Sequence, residues 1–340
     1  MHIYLDNGYL DYTDIFANNG IWMWVIIGGR AIGKTYGALK YSSEEHIPIM
    51  YMRRTQSQSD LAGHPLFTPY KKLCSDTGRV IDVRPVTKYN SRIVETTAEG
   101  EEISLGYTCA LSTIANIRGF DASDVQALIY DEFIPEPHER PIKEEAAALF
   151  NAIETIGRNR ELEGRPPLKV ILLSNSNDIQ SPILLDLGII RRVEAMQKKH
   201  IEVFIDKKRG LGILLPDNSK ISEAKRDTAL YKVAGGSYAE MALDNAFGNA
   251  EFSRTESKPL SAYAPIVTLD NVTLYKHKAK REYYVSMHCA GTPQAVFAGG
   301  HMESQRARVQ FPWIMPAYIN KRLIFEDHLT EIHFRRFMSA

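Results

Sequence analysis

The stretch "IIGGRAIGKTYG", residues 26–37, constrains this chain more than any other. Gly28-x-x-x-x-Gly33-Lys34-Thr35 stands directly behind an apolar run, Met23–Ile27, and ahead of a segment, Thr35–Tyr41, that reads as the start of a helix. A glycine-bearing loop between a buried strand and a helix turns backbone N–H groups inward, and the helix N-terminus adds its positive end. That arrangement cradles phosphate. Gly28, Gly29, Arg30, Ala31, Ile32 and Gly33 form the loop, Lys34 reaches the β- and γ-phosphates, and Thr35 offers its hydroxyl to Mg²⁺. The pattern predicts a nucleotide site and an α/β fold to carry it.

The remaining elements extend this reading. Ile47–Arg53 ("IPIMYMR"), Val125–Asp131 ("VQALIYD") and Lys169–Leu173 ("KVILL") are short apolar runs of the buried-strand type, and Glu144–Ile156 suits a helix. Ser91–Leu111 alternates on both sides of "EGEE", the pattern of a β-hairpin turning at Glu99-Gly100. Strands separated by helical segments predict a mostly parallel, helix-covered sheet over residues 1–190. Residues 191–250 change to short basic helical pieces and Gly-rich turns (Lys207–Gly212, Gly235-Gly236) and read as a basic helical linker region. Residues 251–340 read as a small C-terminal α/β domain, β-rich over Pro265–Lys276 and Glu282–His288 and helical from Tyr318 to the end.

Composition removes several function classes. The 41 Lys and Arg balance 41 Asp and Glu, so any case for nucleic-acid binding rests on local patches rather than on net charge. Cys74, Cys109 and Cys289 lie far apart, without metal or redox spacing, and read as reduced thiols. The best apolar stretch, Ile21–Ile27, is too short to span a bilayer. The N-terminus carries Asp6, Asp11 and Asp14 but no basic start of a signal peptide. The expectation is a soluble cytoplasmic protein with no membrane partner.

A hydrolase needs more than a cradle. "ALIYDEF" ends an apolar strand in Asp131 and Glu132, where a metal-side carboxylate and a water-activating base belong. "LLSNSND" ends another in Ser174 and Asn175, which can bond the γ-phosphate or the attacking water; a turn in which they bond their own backbone fits the same letters. In "IGRNRELEGR", Arg158 and Arg160 follow a helical stretch and read either as a solvated basic face or as an arginine finger for a neighbouring subunit. Arg30, inside the loop, suits a phosphate, a neighbouring acid or a partner subunit.

"IGGRAIGKTYG", "YMRR" (Tyr51–Arg54), "IYDEF" (Ile129–Phe133), "RNRE" (Arg158–Glu161), "LLSN" (Leu172–Asn175) and "YAEMALDNAF" (Tyr238–Phe247) occur in this order. In that order and spacing they resemble the DNA packaging (encapsidation) ATPases of small protein-primed tailed phages, relatives of the terminase large subunits. The resemblance runs over roughly residues 20 to 250. It implies an ASCE-type P-loop fold and a homomeric ring, usually a pentamer, docked on the portal of a procapsid in the host cytoplasm. Such a ring hydrolyses ATP to drive double-stranded DNA inward, in some relatives with a capsid-bound RNA. It also implies roles: Lys34 and Thr35 at the nucleotide, Asp131 at Mg²⁺, Glu132 as catalytic base, and Arg158 as the finger. Ala31 stands where close relatives often have Gly.

Candidate DNA contacts are Lys71-Lys72, Lys88, Lys198-Lys199 and Lys207-Lys208-Arg209, with Arg53 and Arg54 read instead as couplers of nucleotide state. Terminases of this kind carry an RNase H-like nuclease at the C-terminus. Here the acids Asp270, Glu282, Glu303, Glu326, Asp327 and Glu331 avoid mid-strand positions, the last three being placed in a helix. "YKHKAKR" (Tyr275–Arg281) suits phosphate contact better than metal binding. The C-terminal part therefore reads as a degenerate RNase H-like domain that holds nucleic acid. The alternatives are a terminase with an active nuclease, or another P-loop phage assembly ATPase.

Overall fold

The computed structural model describes residues 2–117, 119–136, 139–140, 142–176, 179–216, 220–233 and 254–340. Two compact units divide the chain: Met1–Asp186 with Ala195–Gly248, and Leu187–Glu194 with Asn249–Ala340.

Among the described residues, the first unit has nine strands: β1 (Met23–Ile27), β2 (Ile49–Arg53), β3 (Val80–Pro85), β4 (Ser91–Thr96), β5 (Glu102–Ala110), β6 (Ala127–Asp131), β7 (Lys169–Ser174), β8 (Val203–Asp206) and β9 (Leu211–Leu214). They form one sheet in the order β3-β4-β5-β2-β6-β7-β1-β9-β8. From β5 to β9 every pairing is parallel, and an antiparallel strand closes each edge. The continuous apolar runs occupy the middle because a central parallel strand is covered on both faces. β1 and β6 are buried along their whole length, whereas β3 alternates exposed and buried residues, as an edge hairpin should. The predicted hairpin forms as β4 and β5, with Gly100 N–H donating to the Thr97 carbonyl across the turn.

This topology positions the site. Parallel strands end on the same side, so the segments after Ile27, Arg53, Asp131 and Ser174 all emerge at one edge of the sheet. β7 lies between β1 and β6, which places Ser174 and Asn175 between the glycine loop and the Asp131-Glu132 pair.

The region expected to be a basic helical linker differs. Ile190–Lys198 is helical, but Val203–Asp206 and Leu211–Leu214 are strands of the main sheet, and Lys207–Gly210 is the turn joining them. Phe204, Ile205, Ile213 and Leu214 supply the apolar side chains that the basic letters obscured. Gly235-Gly236 and "YAEMALDNAF" lie outside the described residues.

Among the described residues, the second unit has five strands, β10 (Tyr263–Leu269), β11 (Val272–His277), β12 (Tyr283–Ser286), β13 (Ala295–Phe297) and β14 (Leu323–Phe325), in the order β13-β10-β11-β12-β14. Its core joins Val267, Leu269, Leu274 and Val285 to Phe311, Ile314 and Phe334, from helices on one face. The segment expected to be helical from Tyr318 instead contains β14, and the final helix begins only at His328. Asp327 stops the strand and starts the helix: its side chain accepts the Thr330 N–H at 2.8 Å as N-cap. Of the three acids placed in a helix, only Glu331 lies within one.

Candidate functional site

The loop takes the backbone that its glycines allow. Gly33 has φ +84°, and a Cβ there would stand 2.8 Å from the Tyr9 ring, so glycine is required on both counts. Ala31 also has positive φ, 67°, in a region where glycine bears no steric penalty. This accounts for glycine at that position in similar loops. Gly33 then caps the helix Lys34–Glu44.

Lys34 is buried at the centre. Its ammonium donates to the carbonyls of Gly28 (2.8 Å) and Gly29 (2.6 Å) and to Asn175 Oδ1 (3.0 Å). Burial lowers its pKa to about 7, against the pull of the Asp131 and Glu132 carboxylates. Thr35 Oγ1 donates to Asp131 Oδ2 at 2.8 Å, which brings together the hydroxyl and the carboxylate expected to hold Mg²⁺. A hydroxyl beside a carboxylate offers oxygen donors of the kind a hard divalent cation takes.

Asp131 is the hub. The same Oδ2 accepts the Tyr51 hydroxyl at 2.7 Å and Arg53 Nη1 at 3.3 Å, while Oδ1 accepts the Glu132 N–H at 3.0 Å. Tyr51 and Arg53 alternate along β2 onto one face, directly beside β6. Glu132 has φ +56°, which turns its side chain out of the strand line, and the half-exposed carboxylate pairs with the other end of the Arg53 guanidinium. Burial raises the Glu132 pKa, Arg53 opposes this, and Asp131, Glu139 and Glu136 reinforce it. A carboxylate shifted this way is better matched to accepting a proton near neutral pH.

Ser174 is fully buried: its Oγ accepts the Ile134 N–H at 3.3 Å, and its carbonyl accepts Gly28 N–H at 3.1 Å. It fixes the loop and the Asp131-Glu132 segment to β7, and Asn175 is the member of the pair that reaches Lys34. Arg30 takes the neighbouring-acid option, pairing with Glu136 at 2.7 Å.

Arg53 and Arg54 part company. Arg54 is wholly buried, donating through Nε to Glu145 Oε1 (2.8 Å) and through Nη1 to Glu139 (3.2 Å); Tyr130 completes the cluster with a 3.1 Å bond to Glu145. The two candidate fingers also separate. Arg160 is buried and donates to the Val125 carbonyl at 2.9 Å. Arg158 is exposed at the end of the helix Glu145–Gly157, with φ +48° and a 2.7 Å bond to the Phe120 carbonyl. Both contact the chain just before β6 begins, at the opposite end of the sheet from the loop.

A cavity of about 720 Å³ lies at the loop, lined by Arg30, Lys34, Thr35, Asp131, Glu132 and Asn175. Leu5, Tyr9, Tyr36, Lys72 and Asp76 also line it. Lys72, a candidate DNA contact, is ion-paired with Asp76 here. Lys88 occupies the β3–β4 turn, and Lys198, Lys199 and Lys207–Arg209 are exposed. Tyr51, Tyr9 and Tyr36 escaped the sequence reading. Tyr51, a single hydroxyl in an otherwise apolar strand two residues before Arg53, carried the signal that would have found it.

In the second unit, Lys276 stands exposed near the end of β11, and Lys280 and Arg281 stand exposed on the turn that follows it. Its acids are committed elsewhere. Glu282 pairs with Lys258 (3.0 Å), Glu326 accepts the Ser286 hydroxyl (2.8 Å), Asp327 caps a helix, and Glu331 accepts the Tyr318 hydroxyl (3.0 Å). Among the described residues, no group of three or more His, Cys, Asp or Glu is arranged to hold a metal ion, and no helix is long and apolar enough to cross a membrane.

Comparison with known proteins places this geometry. The DNA packaging proteins of Bacillus phages PZA and phi29 are each 26% identical over 228 residues, covering 65% of this chain and 61% of each relative. The match thus spans less than two thirds of their length. In fold, the chain is similar to the Phi-28 gp11 DNA packaging motor (TM-score 0.60, 20% identity, 98% of each chain). It is also similar to the bacteriophage Phi-29 viral genome packaging motor assembly (TM-score 0.66, 18% identity, 97% of this chain and 99% of that one). Residues 6–295 match the podovirus DNA encapsidation protein (Gp16) family, and with that match over most of its length the chain belongs to this family.

Proposed function

We propose that the chain is an ATP-hydrolysing motor subunit that moves double-stranded DNA into a preformed capsid. The observation that carries this reading is the meeting of Lys34, Thr35, Asp131, Glu132 and Asn175 at one end of the parallel sheet. The fold is read as ASCE-type, supported by β7 lying between β1 and β6. The loop amides and Lys34 bind the β- and γ-phosphates. Thr35 and Asp131 would hold Mg²⁺, which when bound neutralises charge on the transferring phosphoryl group. Glu132 orients a water in line with the γ-phosphate and takes its proton, Asn175 sits where the γ-phosphate is sensed, and Arg53 positions Glu132 by pairing with it.

Arg158 acts on a neighbour's site, since its own site lies at the far end of the sheet. This requires a homo-oligomeric ring, read as a pentamer on the procapsid portal in the host cytoplasm, with double-stranded DNA in its pore; in some arrangements a capsid-bound RNA joins the assembly. The C-terminal unit is read as a degenerate RNase H-like domain that holds nucleic acid. Its acids are engaged in caps and ion pairs, and Lys276, Lys280 and Arg281 are exposed at the end of β11 and on the turn after it. The first unit with its closing strands is read as the ATPase domain.

The test separates binding from hydrolysis. Lys34→Ala removes the phosphate cation and weakens ATP binding, whereas Glu132→Gln keeps size and binding but loses the base. Nucleotide affinity and DNA-stimulated turnover are measured for both. Near-normal hydrolysis by Glu132→Gln overturns the assignment.

A further inference from the structure

The phosphate machinery supplies only part of the lining of the 720 Å³ cavity, which falls within the ~300–1,000 Å³ of ligand cavities. Beyond Gly33 the lining changes chemistry. Tyr9 comes from the N-terminal hairpin closed by the Tyr4–Leu10 bridge, Tyr36 from the second turn-forming position after Lys34, and Lys72 and Asp76 from the helix Tyr70–Thr77. The segments are fixed to one another. Leu10 N–H donates to the Ile32 carbonyl at 3.0 Å, the Tyr12 hydroxyl donates to the Lys34 carbonyl at 2.6 Å, and the Tyr36 hydroxyl donates to Asp76 Oδ2 at 3.0 Å. Two phenol rings, aliphatic Leu5 and a carboxylate make a poor environment for phosphate: Asp76 repels it, and the nearby cations Lys72 and Lys40 are already paired with Asp76 and Glu44. They suit a flat, uncharged group with polar edges.

We infer that Tyr9, Tyr36 and Asp76 form the nucleoside end of the cavity, the tyrosine rings stacking on the base and Asp76 accepting a hydrogen bond from a nucleoside N–H or O–H. The inference rests on reading the glycine loop as a phosphate cradle. Stacking on an aromatic ring is tolerant of base identity, so Tyr9 and Tyr36 set affinity, while Asp76 contributes through its free lone pairs beside the Tyr36 bond. The Tyr36–Asp76 bond also fixes the ring against rotation, so the platform is formed before the nucleotide arrives.

The experiment compares two ligands on the full chain: ATP, and inorganic tripolyphosphate, which carries the phosphates without a nucleoside. Tyr36→Ala and Tyr9→Ala should each weaken ATP binding about tenfold. Tripolyphosphate affinity stays within about twofold, and the loss appears in KM rather than in kcat. Tyr36→Phe keeps the ring but loses its bond to Asp76, so its loss of ATP affinity should be several times smaller than that of Tyr36→Ala. 2′-Deoxy-ATP and GTP, set against ATP on Asp76→Ala, tell a ribose hydroxyl from a base amine as the donor. A parallel loss of ATP and tripolyphosphate binding would show that the tyrosines only support the loop, and unchanged ATP binding would show that they touch nothing; either result overturns the inference. If the parent protein binds neither ligand, the phosphate cradle itself is wrong, a failure distinguishable from the other two.

Discussion

Arg158→Ala is the perturbation that most directly tests whether the chain works as a ring. Arg158 bonds the Phe120 carbonyl ahead of β6, and Asp131 closes that strand. At about 3.3 Å per residue, β6 alone holds these two ends more than about 13 Å apart. An arginine side chain held on the Phe120 carbonyl cannot bridge that span to its own γ-phosphate. The variant should therefore bind ATP with parental affinity, because nothing in its own cavity has changed, yet hydrolyse it about 10³–10⁵ times more slowly, the usual worth of a finger. Mixing supplies the sharper measurement. In a ring of Arg158→Ala and Glu132→Gln subunits, a site is complete when the first variant supplies the base and the second the neighbouring arginine. At equal mixing about a quarter of the interfaces meet this condition, so turnover should rise far above either variant alone. Steady-state phosphate release across mixing ratios gives a curve peaking near equality. A flat curve at every ratio refutes action between subunits. Arg160 would be a poor substitute, since it is buried on the Val125 carbonyl, and Arg30 is already paired with Glu136.

Arg54→Met leaves Glu145 buried without its cation, which should cost about 3–5 kcal/mol. At about 2–4 °C per kcal/mol for a unit of this size, the melting temperature falls by about 6–20 °C. Calorimetry checks it, and a shift under about 2 °C contradicts the buried pairing. Changing Lys276, Lys280 and Arg281 together to Ala should weaken double-stranded DNA binding and flatten the log K versus log salt slope by up to about 3, with melting unchanged. An identical slope removes the β11–β12 turn from the nucleic-acid contacts.

Much of the site was readable because its chemistry is local in sequence. The loop motif, the acid pair after "ALIY" and the Asn after "LLS" each sit at the end of an apolar run. A parallel sheet gathers such ends without further instruction. What escaped was specified by tertiary neighbours. Tyr9 belongs to no motif and enters the cavity only because Leu10 bonds Ile32 across the fold. Strands β8 and β9 are short and flanked by Lys199, Lys207, Lys208 and Arg209, so local charge masked "VFID" and "LGIL". β14 is only three residues long and lies between two helices; its identity as a strand comes from pairing with β12, not from any period in the letters. The two arginines of "YMRR" look equivalent in sequence, but strand alternation sends Arg53 to the acid pair and Arg54 to the opposite, buried side.

That alternation also gives the site a physical link to the finger. Asp131 holds Thr35 from the loop helix and Tyr51 and Arg53 from β2, so a change of charge at the phosphates is felt first at the end of β2. The next residue, Arg54, is bonded to Glu145 in the first turn of the helix Glu145–Gly157. The other end of that helix presents Arg158. An unbroken set of short polar contacts and one rigid helix thus runs from the place where ATP is proposed to be cleaved to the residue proposed to enter the next site. Contiguity alone does not make coupling; an element with two arrangements does. Arg53 has the features such an element needs, because it is partly exposed and engages both a fixed acid, Asp131, and a half-exposed one, Glu132. As the proposed base, Glu132 would leave that pair to take a proton from water, and its departure would leave Arg53 anchored on Asp131 alone. On the proposed mechanism, hydrolysis in one subunit and the posture of β2 are linked through a single guanidinium, and β2 leads directly into Arg54, to which the arginine-bearing helix is tied.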